Sequence, residues 1–145
     1  MARIEESVEI KRPGDRVFAY TTDVKSWSKW QSILPESEQT SPGSMAVGTM
    51  TKGKFHMMGL TMNWTGKVTE YEPNRKFGKH IICGPITNEQ HNNYETVQGG
   101  TKFTILYDMR VGGFMKPFSP MIVSSMRKEL KKSLGNLKGI LEAQT

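Results

Sequence analysis

The sequence predicts an α+β fold in which a curved antiparallel sheet lies against one long C-terminal helix. Three observations carry this. Met115, Phe118, Ile122, Met126, Leu130, Leu134, Leu137 and Leu141 recur at spacings of three or four, which makes one apolar stripe on a helix. Upstream, from Met45 onward, turn-forming pairs cut the chain at Met58-Gly59, Pro73-Asn74, Gly84-Pro85 and Gln98-Gly99-Gly100, the punctuation of successive hairpins. Between the first strand and those hairpins, two short helical patterns intervene.

The first strand runs from Ala2 to Lys11, with Ile4, Val8 and Ile10 on one parity. Arg12-Pro13-Gly14-Asp15 ends it. Val17, Phe18, Thr21 and Thr22 then fit a short helix, and Val24, Trp27, Trp30 and Gln31 a second, with both tryptophans on one side. Ser32 to Gln39 stays open between loop and a short strand around Ile33. Ser41-Pro42-Gly43-Ser44 is a turn. The later strands fall at 46–57, 60–71, 76–83, 86–97 and 101–111, longer than the usual five or six residues, as a strongly curved sheet requires. Gly66 marks a bend or bulge in its strand. Ser119 before Pro120 reads as an N-cap followed by proline at the first helical position. The helix from there, about 23 residues, spans about 34 Å.

Totals bound the function classes. The 145 residues suit one domain, and no linker or repeat divides them. No apolar run approaches bilayer-spanning length, and no secretion signal stands out, so a cytoplasmic location is the expectation. One cysteine, Cys83, excludes an internal disulfide. The charge of +6 arrives without a nucleic-acid-binding motif, and Arg127, Lys128, Lys131, Lys132 and Lys138 lie between members of the helix stripe as solvated side chains. Ten methionines are many for this length, and their flexible thioethers suit adaptable apolar space.

Hairpin register maps the two sheet faces, because residues opposite each other in an antiparallel pair point the same way. A turn centred on Gly99 and Gly100 sets Tyr94 against Ile105, Asn92 against Tyr107 and Gln90 against Met109, with His91 beside Asp108 and Glu89 beside Arg110. The Gly84-Pro85 turn sets Phe77, Lys79 and Ile81 against Asn92, Gln90 and Asn88. The Pro73-Asn74 turn aligns Trp64, Gly66 and Val68 with Cys83, Ile81 and Lys79. The Met58-Gly59 turn places Leu60 and Met62 with Met57 and Phe55. The face with Phe55, Met57, Leu60, Met62, Trp64, Val68, Phe77, Ile81, Tyr107 and Met109 is therefore covered by the helix. Lys52, Lys54, His56, Asn63, Thr65, Lys67, Thr69, His80 and Lys102 face solvent.

The covered face also carries Thr51, Lys79, Asn88, Gln90, Asn92, Tyr94 and Tyr107. Each buried polar group without a partner costs about 1–3 kcal/mol. A dry core would not select three amides on alternate positions, whereas a wet or ligand-binding pocket accommodates them. The competing account is that the hairpin ends project beyond the helix and these amides are simply hydrated. Glycines 112 and 113 fit either a movable lid or a plain strand-to-helix turn.

The order of pieces resembles a known family. The opening Arg12-Pro13-Gly14-Asp15-Arg16-Val17-Phe18 leading to Thr22-Asp23 and the two tryptophans is similar to the START-like (SRPBCC, Bet v 1-like) helix-grip proteins, in the polyketide cyclase/dehydrase and lipid-transport group. Val47-Gly48-Thr49, Val68-Thr69-Glu70-Tyr71-Glu72-Pro73-Asn74, Gly99-Gly100-Thr101-Lys102-Phe103 and the Leu137-Lys138-Gly139-Ile140-Leu141-Glu142 ending sit where that family has them. The resemblance covers essentially the whole chain. It implies a β-α-α-β₆-α order and a seven-strand curved antiparallel sheet wrapped around the final helix. It also supplies the strand between the short helices and Met45, and implies a deep apolar cavity between sheet and helix.

By position, the implied cavity wall comprises Trp30, Phe55, Met57, Met62, Trp64, Phe77, Ile81, Asn92, Tyr94, Tyr107, Met109, Phe118, Ile122 and Met126. Lys79, Asn88 and Gln90 join it from the register. Members of the family bind or carry lipids and hormones, assist polyketide ring closure, or have no assigned activity. No catalytic triad carries over, and the metal-binding signature of the oxygenase relatives is absent, so neither a metal nor another cofactor is expected. The leading expectation is a carrier or sensor of a small lipophilic or polycyclic ligand. An enzyme would use Tyr94, Tyr107 or Lys79 to polarise a carbonyl. His56, His80 and His91 all map to the solvent face, which removes the usual general base near neutral pH. A third class, protein interaction, rests on outward Ile82 and Leu106, consistent with a monomer or a weak homodimer.

Overall fold

The computed structural model describes residues 2–144. Its elements are β1 (Ala2–Ile10), α1 (Gly14–Thr22), a 3-10 turn (Val24–Ser26), α2 (Trp27–Trp30), β2 (Glu36–Gln39), β3 (Met50–Met57), β4 (Leu60–Glu72), β5 (Lys76–Cys83), β6 (Ile86–Val97), β7 (Gly100–Val111), a second 3-10 segment (Gly113–Phe118) and α3 (Ser119–Ala143). The seven strands form one antiparallel sheet in the order β1-β7-β6-β5-β4-β3-β2. The sheet curves around α3, giving a helix-grip fold. The open stretch after α2 resolves into a loop holding Ile33 and a strand that begins only at Glu36. The strand expected from residue 46 begins at Met50, after a loop whose Gly48 lies at φ +94°.

Turn chemistry sets the register. Met58 and Gly59 both take positive φ, 56° and 76°, as a tight two-residue hairpin between Met57 and Leu60 demands. Asn74 at φ 64° supplies the same left-handed step between β4 and β5, where asparagine tolerates it. The β5–β6 pairing matches expectation, with Phe77 opposite Asn92, Lys79 opposite Gln90 and Ile81 opposite Asn88. The last hairpin does not. It turns on Gln98 and Gly99, so Tyr94 pairs with Phe103, Asn92 with Ile105 and Gln90 with Tyr107. That two-residue slip keeps every face but replaces the expected charge pairs: Glu89 sits opposite Asp108 and His91 opposite Leu106.

The irregularity in β4 lies between Val68 and Glu70, beyond Gly66. Gly66 has another use. A β-carbon there would meet Thr51 Oγ1 at 3.0 Å and the Trp64 ring at 3.2 Å, so glycine leaves room for the indole against the concave face.

α3 buries Ile122, Met126, Leu130, Leu134, Leu137 and Leu141, as the stripe predicts. Its start differs from expectation. Phe118 occupies the cap position and is 54% exposed, while the Ser119 hydroxyl donates back to the Lys116 carbonyl at 2.7 Å. The 3-10 segment ahead of the helix takes over the role assigned to a serine cap. Leu60, expected under the helix, is 55% exposed at the tip of the β3–β4 hairpin.

The helix tracks β1 in order. Lys131 Nζ lies 3.7 Å from Glu6, and Lys138 Nζ donates to the Glu9 carbonyl at 2.6 Å. The Glu142 carboxylate accepts from the Lys11 backbone N–H at 2.9 Å. A bond from Lys138 Nζ to the same carboxylate at 2.7 Å, together with that from Lys11, holds the Glu142 carboxyl below its ordinary pKa. No helix among the described residues is long and apolar enough to cross a membrane.

Candidate ligand-binding site

Register stacks the concave-face residues into rungs that cross the sheet. One rung runs Val68, Lys79, Gln90, Tyr107, Ile4, and the next Gly66, Ile81, Asn88, Met109, Ala2. Cys83 and Ile86 begin a third. Facing these rungs from α3 are Ile122 and Met126. Between them lies a hollow of about 60 Å³, walled further by Phe55 and Trp64 and closed at the side by Gln31, Ile33 and Leu34. The loop that supplies Ile33 and Leu34 is pinned by its backbone: Leu34 N–H donates to the Gln31 carbonyl at 3.0 Å, and His56 N–H to the Ile33 carbonyl at 2.8 Å.

A second apolar space adjoins the first. A groove of about 310 Å³ lies between the β3–β4 hairpin tip and the segment that enters α3. Met57, Met58, Leu60 and Met62 line one side, and Phe114, Met115, Phe118 and Met121 the other. Phe55, Ile86 and Ile122 line both spaces. The enclosed part alone would hold only a few waters, but hollow and groove together reach the range of about 300–1,000 Å³ typical of small-molecule sites.

The wall residues named from the sequence therefore divide into three groups. Phe55, Trp64, Lys79, Ile81, Asn88, Gln90, Tyr107, Met109, Ile122 and Met126 line the hollow. Met57, Met62 and Phe118 line the groove instead. Trp30, Phe77, Asn92 and Tyr94 line neither: all are buried in the packed region toward α1 and α2. Tyr94 explains the difference. Its hydroxyl is held by Thr21 Oγ1 at 2.6 Å, and its ring sits 5.0 Å from Phe18 and 4.9 Å from Phe103, so α1 satisfies this phenol internally. Asn92 accepts from Gln90 Nε2 at 2.9 Å and is spent in the same way.

Five residues that line the hollow were not named as cavity wall from the sequence, and neither were Met58, Leu60, Phe114, Met115 and Met121 of the groove. Gln31 was read as the end of the second short helix, and Ile33 and Leu34 sit in the stretch that periodicity left undecided. Cys83 and Ile86 were within reach, since the register already placed Cys83 opposite Trp64 on the concave side.

The polar content of the hollow is concentrated in the first rung. Lys79 is 3% exposed, and its Nζ lies 3.8 Å from the Trp27 ring centroid and 5.9 Å from that of Trp64. It has no hydrogen-bond or salt-bridge partner among the described residues. Burial alone pushes its pKa down to about 7. Burial likewise drives the Tyr107 phenol well above its ordinary value and the Cys83 thiol up to about 11, so both stay protonated at neutral pH. Asn88 Oδ1 and Trp64 Nε1 are buried without partners among the described residues.

The three histidines stand outside the site, on the convex side: His56 Nδ1 bonds Thr61 Oγ1 at 2.8 Å, His91 Nδ1 bonds Glu70 at 2.6 Å, and His80 bonds Glu89. No cluster of three His, Cys, Asp or Glu able to hold a metal occurs among the described residues.

This sheet, helix and interior correspond to a described family. Residues 1–142 match the family model "Polyketide cyclase / dehydrase and lipid transport". The chain belongs to that family. Solved structures share the fold at low identity. TTHA0849 of Thermus thermophilus is 14% identical over 99% of this chain and 100% of its own, with a TM-score of 0.84. MLL2253 of Mesorhizobium loti is 13% identical over 99% of both chains, with a TM-score of 0.76. An uncharacterized Rhizobium leguminosarum protein is 15% identical over 99% of this chain and 95% of its own, with a TM-score of 0.74. No match to a curated protein sequence was found.

Proposed function

We propose that this protein binds or carries a small lipophilic molecule, with its apolar body in the groove and its single polar end in the hollow. One observation carries the reading: an almost wholly apolar groove opens to the surface at one end and meets buried, unpartnered polar groups at the other. Burying about 200 Å² of ligand surface contributes roughly 5 kcal/mol before ordering costs. The methionines on both sides of the groove let its width adapt to the guest.

Native mass spectrometry of freshly purified protein, with extraction of whatever is retained, tests this. The expected result is a mass excess that disappears on organic extraction, or saturable one-to-one binding of at least one member of a chemically broad lipophile set. A protein that is purified empty and binds none of them defeats the reading.

A second reading has the same rung fold a reactive carbonyl chain toward ring closure, with the Tyr107 phenol as hydrogen-bond donor and proximity supplying the rate. Formation of a new product from a poly-β-keto substrate, lost in Tyr107→Phe, separates it from simple carriage.

A further inference from the structure

Lys79 has no role in a purely apolar container, and a methionine would fill its place at less cost. Its ammonium end reaches only aromatic faces. Trp27 lies against it, Gln90 is its cross-strand neighbour on one side and Val68 on the other, and no carboxylate lines the hollow from β3 to β7, the α2–β2 loop or α3. The titratable groups that do face this space are the Tyr107 phenol and the Cys83 thiol, and both are neutral. A lysine in such surroundings spends a large fraction of its time as the free amine, which is the nucleophilic form.

From this arrangement we infer that Lys79 captures ligands that carry an aldehyde or ketone, through a reversible imine formed inside the hollow. The inference rests on the binding function proposed above and names the class of ligand.

Geometry favours a carbonyl at this point. Lys79 and Tyr107 stand on the same rung two strands apart, so their backbones are separated by roughly 10 Å. Both residues line the hollow, with Gln90 between them on the rung. The Lys79 amine attacks the carbonyl carbon, and a C–N bond forms as the C=O π pair moves onto oxygen. That oxygen takes up the proton that nitrogen gives up, which yields a carbinolamine. A second proton passes from nitrogen to the hydroxyl, water leaves, and the C=N bond closes. Carbonyl and amine become imine and water, so no oxidant or reductant is consumed. The apolar wall opposes hydrolysis by limiting water, while the groove holds the tail of the ligand. Burial also distinguishes Lys79 from surface lysines such as Lys52 and Lys67, which are exposed to solvent.

The test uses the full chain and an alkyl β-diketone, which converts a free amine into a stable, near-ultraviolet-absorbing enaminone. Displacement of N-phenylnaphthylamine reports occupancy, intact mass reports adduct number, and peptide mapping locates the adduct. The expected result is displacement together with one adduct on Lys79, formed at pH 7 about tenfold or more faster than on any surface lysine. Lys79→Met should lose that adduct. Nonanal with cyanoborohydride should mark the same residue in the wild-type protein, so the conclusion does not depend on a variant that folds. Displacement without modification of Lys79 overturns the imine and leaves the container reading standing. Neither displacement nor adduct overturns both.

Discussion

The two halves of α3 share one stripe but face different interiors. The C-terminal half, with Leu130, Leu134, Leu137 and Leu141, is fully packed and stitched to β1 by Lys131, Lys138 and Glu142. The N-terminal half, with Ile122 and Met126, spans a gap and ends in exposed Phe114, Phe118 and Met121. A regular amphipathic helix can thus be anchor at one end and cavity wall at the other. What decides is the sheet opposite: Ile4, Ile10, Phe103 and Ile105 are completely buried apolar residues, whereas Lys79, Gln90 and Tyr107 leave polar ends without a close-packed cover.

The largest expected effect breaks the packed half. Leu137→Ala should cost about 2–5 kcal/mol in urea unfolding, because a completely buried leucine has no slack around it. Ile122→Ala, beside space that already exists, should cost less than about 2 kcal/mol, since part of its surface has no partner atoms to lose. Equal losses at the two positions would erase the distinction between the halves.

Next comes the buried amine. The folded-state pKa of Lys79, about 7, lies below its ordinary value of 10.5, so between these the unfolded chain binds more protons. The penalty of burying Lys79 is therefore fully present below pH 7 and relieved as pH rises toward 10.5. Wild-type stability should rise between pH 7 and 8, below the ordinary pKa of 9.0 near which the Cys83 thiol of the unfolded chain begins to oppose it. Lys79→Met should flatten that rise and add a few kcal/mol at pH 7. A wild-type curve with the same slope as the variant would show that Lys79 is not the group responsible.

How much of this was legible beforehand follows the same division. The Met58-Gly59 and Gly84-Pro85 registers were readable because each leaves one two-residue turn. The pairs read from Pro73-Asn74 hold at Val68 and Gly66 only because a three-residue turn, with Glu72 opposite Lys76, is offset by the irregularity between Val68 and Glu70. The run Gln98-Gly99-Gly100 offers two turn positions, and the chain uses the earlier. Faces survived that slip because a shift of two preserves the pleat. Burial of Asn88, Gln90, Asn92, Tyr94 and Tyr107 was likewise readable from alternation. Which of them reach free space was not, because that depends on α1 claiming Tyr94 through Thr21, a contact 73 residues distant in sequence. The α2–β2 loop carries no decisive periodicity, so the pattern gave Ile33 and Leu34 no direction, and Gln31, read as the end of the second helix, showed no sign of reaching the hollow.

Smaller effects sharpen the contrast at the surface. Phe118→Ser at the groove should weaken lipophile binding about five- to tenfold, by titration, with stability nearly unchanged because the ring is already half exposed. His80→Gln, on the convex side, should alter stability by no more than about 1 kcal/mol and binding not at all, as expected for a partly exposed pair with Glu89.

The most direct measurement is a fluorescence titration with the neutral lipophile N-phenylnaphthylamine on wild type and Ile122→Trp, whose indole would fill the space where hollow and groove meet. The account predicts saturable one-to-one binding to the wild type and a loss of at least about tenfold in the variant, with both proteins equally folded by circular dichroism. Equal affinity in the two, or a signal that never saturates, would contradict it.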